Sequence, residues 1–113
     1  MARLCFILIF YLISSTAYAN ILGDRLKQYC AFYPGQTEST TMCMGYIGGT
    51  LDTFRLFERM GTKLYCEPKE ASGDQLIEMT KKYLVDHPSE LHNTASSLIL
   101  KMLIEAFPCQ QKR

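Results

Sequence analysis

The chain has no tryptophan and only two histidines in 113 residues. Few of its side chains can therefore shuttle a proton near neutral pH or hold a metal through imidazole. It has neither a C-x-x-C pair nor closely spaced histidines, so no zinc site is expected on its cysteines. It lacks the ~20 consecutive apolar residues that a helix needs to span a bilayer. It also lacks a charge bias: 12 Lys and Arg stand against 11 Asp and Glu, and no basic stripe marks a nucleic-acid or anionic-lipid surface. Lys112-Arg113 reads as a solvated terminus. No segment alternates apolar and polar residues as a half-buried strand would.

What is present begins with a leader. Arg3 supplies a positive start, Leu4 to Ile13 are apolar, and Ser14, Ser15 and Thr16 lead to the small-x-small signal Ala17-Tyr18-Ala19. Residues 1–19 are therefore expected to be removed between Ala19 and Asn20, leaving an exported domain of residues 20–113 with no membrane segment. Cys5 leaves with the leader. The remaining Cys30, Cys43, Cys66 and Cys109 form an even set in an oxidising compartment, which points to two disulfides. In so small a domain each would contribute ~2–4 kcal/mol.

Apolar spacing predicts a small all-α, disulfide-bonded bundle of about four helices, most simply antiparallel. Leu22, Leu26, Tyr29, Cys30 and Tyr33 mark the first helix, which Pro34-Gly35 ends. Cys43, Ile47, Leu51, Phe54 and Phe57 mark a long second helix from about Glu38 to Met60, with Gly61 as its C-terminal glycine. Thr62 to Ala71 reads as a loop. Ser72-Gly73-Asp74-Gln75 spells a capping box that opens a third helix, with Leu76, Met79, Tyr83 and Leu84 inward and Lys81 and Lys82 outward. Pro88 ends it and suits the first position of a fourth, which carries Leu91, Ala95, Leu98, Ile99, Met102, Leu103 and Ala106. The second helix spans ~30 Å and separates Cys43, near its start, from Cys66, just past its end. Alternating helix directions then put Cys30 with Cys43 at one pole and Cys66 with Cys109 at the other.

Candidate chemistry is sparse. His87 and His92, either side of Pro88, fall on different faces. The carboxylate pairs Asp52 with Glu58 and Glu67 with Glu70 come with no motif, so they read as solvated charges. No catalytic, metal or cofactor residues are expected. Gly45, Gly48 and Gly49 inside the second helix each cost about 1 kcal/mol against alanine. Gly45 and Gly49 share a face with Asp52, where another helix, from this chain or from a second copy, could pack closely.

Cys43-Met44-Gly45-Tyr46-Ile47 with Gly49 and Asp52, Tyr65-Cys66-Glu67-Pro68, Gln75-Leu76, Tyr83-Leu84, His87-Pro88 with Leu91-His92 and Ala95, and Ala106-Phe107-Pro108-Cys109 resemble the Rap/Tai immunity proteins of type VI secretion. The resemblance runs from Cys43 to Cys109, with residues 20–42 similar only in general character. It implies a periplasmic, non-enzymatic helical protein, often a homodimer, that binds and blocks a peptidoglycan amidase effector. The loop Lys63 to Gly73, with Glu67, Lys69 and Glu70, is then the candidate toxin contact, against a plain role as connector. A periplasmic chaperone or small-ligand carrier is the alternative, and a carrier requires an enclosed pocket of about 300 Å³ or more.

Overall fold

The computed structural model describes residues 20–31, 35 and 37–110. The expected leader 1–19, including Ala19, lies outside the described residues, as do Tyr33-Pro34 and Lys112-Arg113. Four α-helices follow in order: α1 (Gly23–Cys30), α2 (Thr37–Arg59), α3 (Gly73–Asp86) and α4 (Ala95–Ala106), with a 3-10 turn at Pro88–Glu90 before the last. Every pair of helices is in contact. No helix among the described residues is long and apolar enough to cross a membrane. The core is Leu26 of α1, Cys43, Ile47 and Leu51 of α2, Leu76, Tyr83 and Leu84 of α3, and Leu98, Ile99, Met102 and Leu103 of α4. Thr80 is buried among them and satisfies its hydroxyl by donating to the Leu76 carbonyl at 2.8 Å.

Local end signals work as the sequence predicts. Gly61 takes φ +98°, the Gly61 amide donates to the Glu58 carbonyl at 3.0 Å and the Thr62 amide to the Phe57 carbonyl at 2.9 Å, so α2 closes in a Schellman motif. At the start of α3 the Gln75 amide donates to Ser72 Oγ at 3.2 Å, while the Ser72 amide donates to Gln75 Oε1 at 3.0 Å. Cys30 is bonded to Cys43 and Cys66 to Cys109, each pair with Cα atoms 4.9 Å apart. The crosslinks tie α1 to α2, and the loop after α2 to the segment after α4.

Three expectations need correction. Pro88 does not open the fourth helix. Leu91 and Asn93 face the N-terminal end of the fold, where their carbonyls accept from the Asp24 amide at 3.0 Å and the Gly23 amide at 2.9 Å; the Ala95 amide in turn donates to the Ile21 carbonyl at 2.8 Å. Those carbonyls are spent on another segment, so the helix starts only at Ala95. Second, Phe57 is 43 % exposed and lies outside the core. Third, no described residue lies within 4 Å of a Cβ placed on Gly45, Gly48 or Gly49, so none of the described helices packs on that face. Asp52 beside it is exposed and reaches Arg55 at 3.5 Å.

Gly23 is the close approach that the sequence does not flag. A Cβ there would lie 2.4 Å from Leu98 Cδ1, 3.1 Å from Leu91 Cα and 3.2 Å from the Leu91 carbonyl oxygen. Gly23→Ala should therefore cost about 1–3 kcal/mol by overpacking, a melting-temperature loss of roughly 4–8 °C per kcal/mol. In the dilute, monomeric chain Gly49→Ala should instead hold or raise stability by up to ~1 kcal/mol through helix propensity. Thermal melts of the two variants check the contrast; equal losses would show that the Gly49 face is packed after all.

Candidate functional site

Tyr65, Cys66 and Glu67 fix the inner half of the loop between α2 and α3. Tyr65 is buried, its ring edge-on to Phe54 with centroids 6.4 Å apart. Burial, reinforced by the Glu67 carboxylate, pushes its phenol pKa up. Cys66 adds the disulfide and donates its amide to the Phe107 carbonyl at 2.8 Å. Glu67 turns inward and accepts from Arg55 at 2.9 Å, which raises the guanidinium above its already high value. Its side chain is only 17 % exposed.

The outer half of the loop is free to meet a partner. A turn closed by the Ala71 amide on the Pro68 carbonyl at 3.1 Å carries Lys69 and Glu70 into solvent. Of the three expected contact residues, the structure thus places Lys69 and Glu70 outward and gives Glu67 a structural partner. Between this turn, α3 and the end of α4 lies an open groove of about 640 Å³, floored by Pro68, Ala71, Leu76, Met79 and Phe107. It lies open at the surface, and so differs from the enclosed chamber a carrier of apolar small molecules requires.

The residues that could have carried catalysis are dispersed. His87 stacks on Tyr83 with centroids 3.9 Å apart and donates through Nδ1 to the Tyr83 carbonyl at 2.9 Å. His92 sits exposed in the following turn. Asp52 engages Arg55, whereas Glu58 engages Lys63 at 3.0 Å. Among the described residues no three His, Cys, Asp or Glu side chains converge on a point where a metal could be held.

A second exposed feature runs along α2. Met42, Gly45, Gly49, Leu56 and Met60 recur at three-, four- and seven-residue steps, the spacing of one helix face. This face points away from Cys43, Ile47 and Leu51, which enter the core. Met42 is 43 %, Leu56 51 % and Met60 71 % exposed. The sequence reading found the glycines here but missed the apolar side chains flanking them.

The polar contacts of Glu90 make the α3–α4 junction pH-sensitive. Glu90 accepts from Lys101 at 2.6 Å and, more weakly, from the Tyr83 hydroxyl at 3.4 Å. The hydrogen bond from Lys101 holds its pKa below the usual carboxylate value. A lowered folded-state pKa adds stability that is present above about pH 4.3, the ordinary value for glutamate, and is lost as the pH falls through the folded-state pKa. Glu90→Gln should accordingly be less stable than the parent at pH 7, and the gap should narrow as the pH falls below the ordinary glutamate range. Urea midpoints across that range test the sign; a gap that widens in acid would refute it.

The comparisons with known proteins accord with this binder-like geometry. No curated protein and no solved structure matches the chain. A family model, described as Rap1a immunity proteins, matches residues 22–109. The match reaches from the backbone pairing at Leu22 to the last cysteine, so it takes in α1 as well as the stretch from Cys43 onward. With the match covering well over half of its length, the chain belongs to the Rap1a immunity protein family.

Proposed function

We propose that this protein is a periplasmic immunity protein that binds a peptidoglycan amidase delivered by type VI secretion and blocks its cleft. The carrying observation is the family match over residues 22–109, which spans all four helices and both disulfides and makes immunity against a secreted effector the family function. Export through cleavage between Ala19 and Asn20 suits the fold, because the first backbone hydrogen bond of the described chain is accepted by Ile21. Asn20 itself is exposed, so a cut there spares the core.

Occlusion is supported by the turn at Pro68 to Ala71. It protrudes with Lys69 and Glu70 exposed, while Cys66, Tyr65 and the Arg55 ion pair hold its base. A preformed protrusion loses little conformational entropy when it docks. The test uses the purified protein and a secreted amidase encoded beside its gene. The protein should abolish hydrolysis of peptidoglycan, and Lys69→Glu with Glu70→Lys should weaken inhibition at least tenfold without moving the melting temperature. Glu67→Lys should lower the melting temperature, since it breaks the Arg55 pair. Full hydrolysis in the presence of excess protein would end the amidase reading.

The exposed face of α2 supports pairing of two copies. Glycines at Gly45 and Gly49 admit a crossing helix, and Met42, Leu56 and Met60 would be covered by it. Gly49→Arg should then sediment as a monomer with its fold intact, the parent as a dimer. A parent that sediments as a monomer at tens of micromolar would remove this face from the account.

A further inference from the structure

The groove beside the loop gathers three carboxylates around an apolar floor. Its rim carries Glu70, Asp74 and Glu78, and among the described residues no lysine or arginine lines it. Elsewhere Asp52 and Glu67 pair with Arg55, Glu58 with Lys63, Asp86 with Lys82 and Glu90 with Lys101, while Asp24, Glu38 and Glu105 stand singly among the described residues, away from this groove. At the groove only Glu78 has a cation, Lys81 at 2.8 Å on the same helix and outside the lining. Glu70 and Asp74 have no ion-pair partner among the described residues.

Asp74 alone would be explained by the first turn of α3, where an anion suits the helix dipole. That account does not extend to Glu70, which precedes the helix, or to Glu78 beyond its first turn. Nor does it explain why the three stand around an apolar floor. Met79 and Phe107 are only partly buried there, although both pack against the core. An apolar floor edged by carboxylates, two of them without an ion-pair partner among the described residues, fits a complementary element in which an apolar anchor is flanked by cations.

We propose that this groove is the seat of a basic, apolar segment of the effector: a Leu, Ile or Phe side chain entering over Met79 and Phe107, with Lys or Arg on either side meeting Glu70 and Asp74. The proposal rests on the immunity reading for the source of that segment, and it names the chemistry the segment must have. The site is preformed. Phe107 is held by its amide on the Leu103 carbonyl at 2.8 Å and by the Cys66 amide on its own carbonyl. The capping box at Ser72 and Gln75 fixes the first turn of α3. Rigid walls of this kind lower the ordering cost of docking.

Two synthetic peptides separate the groove from its occupant. Protein purified from cells expressing the full chain is labelled with ¹⁵N and titrated with acetyl-Lys-Phe-Leu-Arg-amide, then with the acidic acetyl-Glu-Phe-Leu-Glu-amide. The basic peptide should shift the amides of residues 69–79 and Phe107 and bind at least tenfold more tightly than the acidic one, with the difference shrinking in high salt. The variant Glu70→Gln with Asp74→Asn, which keeps side-chain shape, should melt as the parent does and lose that preference. Equal binding of both peptides, or shifts confined to other residues, overturns the proposal. The same variant is then tested against the neighbouring amidase. A tenfold loss of affinity supports the effector as occupant. Unchanged affinity overturns the groove while leaving the immunity function standing. An amidase that binds neither protein overturns the amidase reading, while a surviving peptide preference upholds the chemistry of the groove.

Discussion

The Cys66–Cys109 crosslink is the constraint on which the candidate binding surface depends. It closes a separation of 43 residues, for which the loss of unfolded-state freedom is worth roughly 4 kcal/mol on the chain-entropy model. No other contact of the loop approaches that. The Arg55–Glu67 pair is partly exposed, with side chains 37 % and 17 % accessible, and pairs in such settings contribute about 1 kcal/mol or less. The crosslink also aligns the Cys66 amide with the Phe107 carbonyl, so one covalent bond sets both the loop and the wall of the groove. Tyr65 and Glu67, on either side of Cys66, then have fixed places in which to bury a ring and to meet Arg55.

At the other end of the fold, α1 poses a separate physical problem. It has eight residues, and an isolated helix shorter than ~12 residues is marginal in water. Tertiary contacts must hold it. Leu26 is fully buried, Cys30 is bonded to Cys43, and backbone hydrogen bonds join residues 21–24 to residues 91–95. Those bonds come at a cost to α4, which gives up its first turn so that Leu91 and Asn93 can accept from α1. Gly23 makes the exchange possible, because a side chain there would press on the Leu91 backbone and drive into the Leu98 side chain. The family match beginning at residue 22 is consistent with α1 being integral to this fold.

What could be read from sequence follows from the range of the interactions involved. The capping box at Ser72 and the Schellman glycine Gly61 are codes written within a few residues, and both are seen in the structure. The disulfide pairing was legible for a related reason: the rigid helix runs about 24 Å from Cys43 to its end at Arg59, which sets Cys66 at the opposite pole from Cys43. The short turn before Ala95 was not legible, since its determinants are amides some seventy positions earlier in the chain. Periodicity alone extends α4 through Leu91, because Leu91 has the right spacing whether or not its carbonyl is free. The inward turn of Glu67 was hidden likewise. A glutamate in a loop looks like its neighbour Glu70 until the position of Arg55 is known.

Glycine in α2 shows the limit of propensity as a guide to packing. A cost of about 1 kcal/mol per residue calls for an offset, and the sequence leaves open whether the offset lies within the chain. Among the described residues there is open space over all three glycines. Packing of the described helices therefore draws nothing from them, nor from the exposed Met42, Leu56 and Met60 along the same face. α2 carries two apolar faces, of which its own fold uses one. A helix can tolerate that arrangement here because its other face is anchored by Cys43, Ile47 and Leu51 and stapled through Cys30. The stability of the fold is concentrated on one side of α2 and at its two crosslinks, which leaves the opposite face and the acidic groove free to be shaped by what binds there.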